Sequence, residues 1–274
     1  MKYIFLDIDG TLYSPKINAV PYSAMDALKK AKENGHKLFV CTGRSLSAAK
    51  LFLNLDVDGF VFSAGAVVYV HGKRVHDKAF RKEDIVLVRK LASLFNLGYC
   101  LEGNAGAYYD EVAYCHIYEY FSGAAKNVEE GIEIMRSNCY FPIEYYDEND
   151  RVSKICVYAE DEHMIEQLKK ELPEEFNCLT TLRNPKIKSH CVEISYKTET
   201  KGTAAKIVCE AYGATLKDAI AIGDSSNDFE MIRDCGIGIS MGNGSEDIKE
   251  IADYITTDIL DDGIENAFKH YGII

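Results

Sequence analysis

FLDIDGT, residues 5–11, closes an apolar run that begins at Tyr3 with two carboxylates, Asp7 and Asp9, one residue apart and directly followed by Gly10. In extended backbone a spacing of two turns both side chains to the same side, and a glycine lets the chain bend away at once. The segment reads as a buried strand carrying acids at its C-terminal end. On its own such a pair is also an ordinary start to a polar loop, because Asp is common in turns. The sequence around it decides between the two.

Downstream, Ala24, Ala27, Leu28 and Ala31 share one face of a helix predicted over Ser23 to Glu33, and NGH (residues 34–36) stops it, with Gly35 suited to a left-handed cap. KLFVC (37–41) resumes as a strand, a second helix is predicted from Ser45 to about Leu53, and GFVFS (59–63) is a third strand. This β-α-β-α-β series implies an α/β fold with a parallel sheet and right-handed crossovers, so the strand ends gather on one edge, where ligands bind. LDIDGT, CTGRS and SAGA are the stretches at that edge.

A hairpin turning at His71-Gly72 follows, and then longer helices and isolated strands replace the short alternation, as in EDIVLVRKLASLF, DRVSKICVYA and EHMIEQLKKEL. Residues 80–184 are expected to form an inserted α+β domain, with LRNPKIKS (182–189) as the returning linker, and residues 1–79 and 185–274 to form the core. From Cys191 the α/β rhythm returns: CVEIS, a helix over Lys201 to Tyr212, AIAIGD, a helix containing Phe229 to Arg233, GIGIS, ADYITT and a short final helix beyond Asp261.

The 274 residues, 47% of them apolar, suffice for a real core, and no apolar stretch approaches the roughly 20 residues of a membrane span. With no signal-type start either, the protein is expected in the cytoplasm and away from membranes. Nine cysteines without a Cys-x-x-Cys pair read as reduced core residues, neither a disulfide framework nor a zinc site. The net charge of −12 argues against nucleic acid as a partner, although a small anion can still bind where backbone N–H groups or a metal supply positive charge. The sequence carries no signal of oligomeric state.

AIGDSSND (221–228) is a second buried strand ending in acids, Asp224 and then Asp228 beyond Asn227. At about 4 Å, like charges repel by roughly 4 kcal/mol at an effective dielectric near 20, so Asp7, Asp224 and Asp228 converge only around a cation or with some of them protonated. An all-oxygen site built from separate strands suits Mg2+ better than Ca2+, which favours densely spaced acids in one loop. Thr42 and the N–H groups of Gly43 and Arg44, at the end of FVCTGRS, can close on an anion. Lys201 opens a helix, where a cation opposes the macrodipole unless an anion sits beside it.

DIDGT, CTGR, the KG of Lys201-Gly202 and GDSSND, in this order, resemble the haloacid dehalogenase (HAD) superfamily of phosphatases, and the late GNGSEDIKEIADYITTDILDDGI is similar to the Cof-type group with its large inserted cap. The resemblance spans essentially the whole chain and implies a Rossmann-like core with an α+β cap. It implies Asp7 as the nucleophile, forming an aspartyl-phosphate, and Asp9 as the general acid and base. Thr42 and Gly43 would bind phosphate with Lys201 and Asn227, while Asp7, the Asp9 carbonyl and Asp224 would hold Mg2+, supported by Asp228. In the cap, Arg183, His116 and Tyr118 are candidates for substrate selection, and Tyr108 and Tyr109 belong to the same aromatic stretch. Ala64 stands where many relatives have Asn, which affects a loop contact and not the chemical steps.

The expected activity is Mg2+-dependent hydrolysis of a small phosphorylated metabolite: a sugar phosphate, a phosphorylated cofactor or a nucleotide. Phosphoryl transfer within a sugar phosphate, as in phosphomutases, is the alternative outcome. A non-enzymatic phosphoacceptor module shares the acids, Thr and Lys, but Asp9 argues against it, since an acid/base beside the nucleophile promotes turnover. A silent binding protein of the same fold is disfavoured by the complete motif set.

Overall fold

The computed structural model describes residues 1–123, 125–181 and 189–274. The chain divides into two compact units, one of residues 1–43, 54–77 and 199–274, the other of residues 44–53 and 78–198.

In chain order the first unit begins with β1 (Tyr3–Leu6), α1 (Tyr22–Glu33), β2 (Lys37–Cys41), β3 (Gly59–Phe62), β4 (Val67–Val70) and β5 (Lys73–Asp77). The second unit follows with α2 (Lys82–Leu94), β6 (Gly98–Glu102), β7 (Ala107–Tyr109), α3 (Glu111–Ser122), α4 (Val128–Ser137), β8 (Tyr140–Pro142), β9 (Lys154–Ala159), α5 (Glu162–Glu171), β10 (Phe176–Thr181) and β11 (His190–Tyr196). The chain then returns to the first unit for α6 (Lys201–Ala211), β12 (Ala219–Gly223), α7 (Phe229–Asp234), β13 (Ile237–Ser240), α8 (Glu246–Ile251), β14 (Tyr254–Ile255) and α9 (Gly263–His270).

The first unit is built on an eight-stranded sheet in the order β14-β13-β12-β1-β2-β3-β4-β5. Pairing is parallel from β14 to β3 and antiparallel through β4 and β5. All four residues of β1 and all five of β12 are buried, as expected of central parallel strands covered on both faces. Tyr3, Phe5, Phe39, Cys41 and Ala221 pack on one side with Ala205 and Val208 of α6 and Met231 of α7. Alternate residues such as Ile4, Leu6, Val40 and Ile222 are equally buried, and α1 packs against β2 and α9. The hairpin between β4 and β5 turns where expected, with left-handed His71 and Gly72, and Gly35 caps α1 at φ +83°.

The second unit has a six-stranded sheet in the order β10-β11-β9-β6-β7-β8, antiparallel except between β7 and β8. Tyr99, Leu101, Ile155, Val157 and Ile194 pack on one side with α2 and α5. Cys100, Tyr109, Cys156 and Cys191 pack with Ala113 and Ile117 of α3 and Met135 of α4. Most cysteines are buried and none is in a disulfide among the described residues, although Cys115 is exposed on α3.

Two expectations are corrected. Over 45–53 there is only a short 3-10 turn at Lys50–Phe52, because the segment has no buried stripe: Leu51 is 77% exposed, while the Ser47 hydroxyl donates to the Gly103 carbonyl at 2.9 Å. CVEIS belongs to the second sheet, where β11 pairs with both β10 and β9, so the chain re-enters the first unit at Glu199 and not at residue 185. A strand-length apolar run fixes a strand without fixing which sheet takes it. The expected linker over LRNPKIKS falls, but for Ser189, outside the described residues. Among the described residues no helix is long and apolar enough to cross a membrane.

Candidate active site

Because β1 pairs in parallel register with β12, Leu6 opposite Ile222, the residues after each strand emerge side by side: Asp7 from one, Asp224 from the other. The Asp7 N–H still donates to the Ile222 carbonyl at 3.1 Å, which places Asp7 at the last rung of the ladder. Beyond it the backbone winds tightly, with the N–H groups of Thr11, Leu12 and Tyr13 all directed to the Ile8 carbonyl. Gly10 is needed in this turn. Its φ is +95°, and a Cβ there would lie 2.2 Å from Asp224 Oδ2. Gly10→Ala is therefore expected to displace Asp224 and lower kcat/KM by at least about tenfold while the fold persists, checked by steady-state kinetics beside circular dichroism.

Lys201 joins the acids. Thr200 and Thr203 form a capping box at the start of α6, and the lysine side chain, fully buried, reaches Asp7 Oδ1 at 2.5 Å, Asp228 Oδ1 at 2.6 Å and Asn227 Oδ1 at 3.0 Å. The second Asp7 oxygen, Oδ2, accepts no hydrogen bond from the described residues. The other Asp228 oxygen accepts from the N–H groups of Asp224 at 3.0 Å and Ser225 at 3.1 Å. Both oxygens of Asp228 are thus engaged, one by Lys201 and the other by the loop that carries Asp224.

Asp7, Asp224 and Asp228 offer oxygens that all lie within 4.8 Å of one another. Burial, with help from Asp228 and Asp224, pushes the Asp7 carboxyl well above the usual carboxylate range, against the pull of Lys201. Asp224 is pushed up to about 7 by burial and by Asp228, with the Thr11 hydroxyl, at 2.9 Å from Oδ1, opposing the shift. For Lys201 burial alone would favour the neutral amine, but the Asp228 and Asp7 carboxylates outweigh it and hold the ammonium charged. This donor set fits a hard divalent cation: oxygen atoms only, two of the carboxylates strained toward protonation, and a surplus of negative charge over the single lysine.

The remaining sequence-derived residues fall as follows. Thr42 is buried at the end of β2, its N–H bonded to the Val61 carbonyl and its carbonyl to the Ala64 N–H. Gly43 lies against Asn227, whose Nδ2 would be 3.2 Å from a Cβ at that position. Asp9 is exposed. His116 and Tyr118 belong to the other unit, where His116 stacks on Tyr158 with ring centroids 5.7 Å apart and Tyr118 packs on Tyr114 and Gly131. Burial lowers the His116 pKa. Arg183 lies outside the described residues.

Sequence reasoning missed Asn243 and Ser225. The Asn243 amide donates to the Gly10 carbonyl at 2.8 Å and accepts from the Ile259 N–H at 2.9 Å, and the Ser225 hydroxyl donates to Asn227 Oδ1 at 3.0 Å. The signal for Asn243 was present: GNG follows β13, a further parallel strand ending on the same edge.

A haloacid dehalogenase-like hydrolase model matches residues 4–268, nearly the whole chain. The chain belongs to this family. Among its relatives in the HAD family is 5-amino-6-(5-phospho-D-ribitylamino)uracil phosphatase YwtE of Bacillus subtilis, 26% identical over 96% of each chain. In structure it is similar to the HAD phosphatase BT1666 of Bacteroides thetaiotaomicron, with a TM-score of 0.79 and 26% identity over 100% of this chain and 96% of that one. It is likewise similar to the subclass IIB sugar phosphatase BT4131, with a TM-score of 0.77 and 25% identity over 100% of both. This HAD protein is a phosphomonoesterase with an α/β, Rossmann-like core.

Proposed function

We propose that the protein hydrolyses small phosphorylated metabolites with Mg2+ as cofactor, through an aspartyl-phosphate on Asp7. The observation that carries this reading is the junction of Asp7 with Lys201 at 2.5 Å: one carboxylate oxygen is held by the ammonium and the other accepts no hydrogen bond from the described residues. Asp7 Oδ2 forms a bond to phosphorus as the bond to the leaving oxygen breaks, and Asp9 gives that oxygen its proton. Asp9 then takes a proton from the water that attacks phosphorus, which frees phosphate and restores the Asp7 carboxylate. Thr42, Gly43, Lys201 and Asn227 hold the phosphoryl oxygens in a preorganised site. Mg2+ would be held by Asp7, the Asp9 carbonyl and Asp224, with Asp228 behind them, and when bound it neutralises negative charge beside the phosphoryl group.

The acids of the site make cation binding pH-dependent. A carboxyl whose pKa is raised by folding stabilises the cation-free protein below the ordinary carboxylate range, and that stability is lost as pH rises through the folded value, about 7 for Asp224. Mg2+ needs the deprotonated form, so its stabilisation grows over the same window. The melting temperature is expected to rise more on adding Mg2+ at about pH 8 than at about pH 5.5. In parallel, an aryl phosphate should be hydrolysed at least about 100-fold faster with Mg2+ than with a chelator. Equal rates in both would remove the metal from the reading. A hexose phosphate should release free phosphate without isomer exchange, and exchange would favour the phosphomutase alternative.

The relatives' names support the substrate class: one acts on a phosphorylated ribitylamino compound and another on sugar phosphates. A soluble small-molecule partner, neither nucleic acid nor membrane, agrees with the net charge of −12.

A further inference from the structure

The second unit carries an open cleft of about 490 Å³ that is lined by none of the residues proposed for catalysis. That volume is within the range of small-molecule sites. The cleft is open to solvent: Val86, Arg89, Lys90 and Ser93 of α2 and Val112 at the start of α3 line it and are exposed, while Leu97 and Tyr99 beneath them are buried.

Most of the polar groups here are donors, on exposed side chains that make few contacts with the rest of the protein. Arg89 is fixed along one edge, its Nε donating to the Tyr99 hydroxyl at 3.0 Å and its guanidinium lying 5.4 Å over the Tyr99 ring. Its two terminal amino groups find no acceptor among the described residues. A guanidinium held in this way presents a planar fork that matches a carboxylate or phosphate. Lys90 makes no ion pair and the Ser93 hydroxyl no hydrogen bond among the described residues, in a chain with 43 acidic side chains available to pair with 31 basic ones. The Val112 N–H, at the second position of the 12-residue α3, has no acceptor among the described residues, since the capping carboxylate of Asp110 takes the Ala113 N–H.

Asp110 is the one acid in the lining, and its Oδ1 is committed to backbone, accepting from Ala113 at 2.8 Å and Tyr99 at 3.1 Å. The Arg89 fork, the Lys90 ammonium and the Val112 N–H outnumber it. The apolar side chains of Val86, Leu97 and Val112, with the Tyr99 ring, leave room for more than the anionic group.

We infer that this cleft is a second ligand site, for a small organic anion that joins one carboxylate or phosphate to an apolar body. Arg89 and the Val112 N–H bind the anionic group, and the apolar wall takes the rest.

The test titrates the full-length protein with benzoate, phenylphosphonate and inorganic phosphate while following backbone and arginine side-chain resonances. Saturable shifts of the Val112 amide and Arg89 Nε are expected with benzoate or phenylphosphonate, and weaker ones with inorganic phosphate. Arg89→Gln should weaken that binding by about tenfold or more, and Ser93→Asp, which places a negative charge at an exposed position, should do the same. Both variants should retain wild-type hydrolysis of an aryl phosphate. A preference for benzoate or for phenylphosphonate tells a carboxylate ligand from a phosphate one. The inference is overturned if no probe shifts Val112 and Arg89 at millimolar concentration, if binding survives both substitutions, or if inorganic phosphate binds as tightly as phenylphosphonate.

Discussion

Asp7→Asn is expected to lower turnover of an aryl phosphate by at least about 10³-fold at saturating Mg2+, because an amide of the same shape cannot displace the leaving oxygen. The fold should survive. Asp7 is buried with a raised pKa, so the neutral amide removes a charge that burial already disfavours, and Lys201 keeps Asp228 and Asn227 as partners. In chelator the melting temperature should therefore stay equal or rise, while the gain from Mg2+ shrinks because a cation ligand is gone. Scanning calorimetry with and without Mg2+, run beside the rate measurement, checks both parts. Loss of activity together with collapse of the fold would leave the nucleophile unassigned, and retained activity would move it elsewhere.

Lys201→Met separates charge from packing. The lysine stem is fully buried, and methionine keeps much of its apolar volume while deleting the ammonium. Asp7 and Asp228 would then face each other without the cation that lies 2.5 and 2.6 Å from them. Breaking a buried ion pair on one side costs about 3–5 kcal/mol, and urea unfolding in chelator should show a loss of that order. Added Mg2+ should return part of it by restoring positive charge beside the acids. Turnover should fall by about 10² or more, since the oxyanion-stabilising charge is lost even where the nucleophile remains. Unchanged stability in chelator would mean that the two carboxyls take up protons instead of repelling.

The convergence of Asp7, Asp224 and Lys201 was legible in the sequence, while parts of the scaffold around them were not. Asp7, Asp224 and Lys201 each stand beside an element whose apolar pattern is unambiguous, and parallel pairing of β1 with β12 brings the two strand ends together. What stayed hidden are contacts without periodicity. Thr11 orients Asp224, and Asn243 fixes the Gly10 carbonyl, through side-chain hydrogen bonds that no spacing rule encodes. The segment after Gly43 failed as a helix because its apolar residues do not share one buried face, with Phe52 inside and Leu51 outside. β11 was given to the wrong unit since its partners β9 and β10 are chosen by register, which appears only when the strands are laid side by side.

The order in which β1 acquires its neighbours governs when the catalyst comes into being during synthesis. β2 is made soon after β1, but β12 on its other flank follows only after the whole second unit. Thr11 and Asp224 are 213 residues apart along the chain, and Lys201 lies 194 beyond Asp7. Until β12 is made, β1 has no partner on that flank, and an unpaired apolar strand edge is the kind of surface that chaperones shield and aggregates recruit. A chain that stops before α6 carries the Asp7 carboxylate without the ammonium that holds it, because the two lie 194 residues apart along the chain.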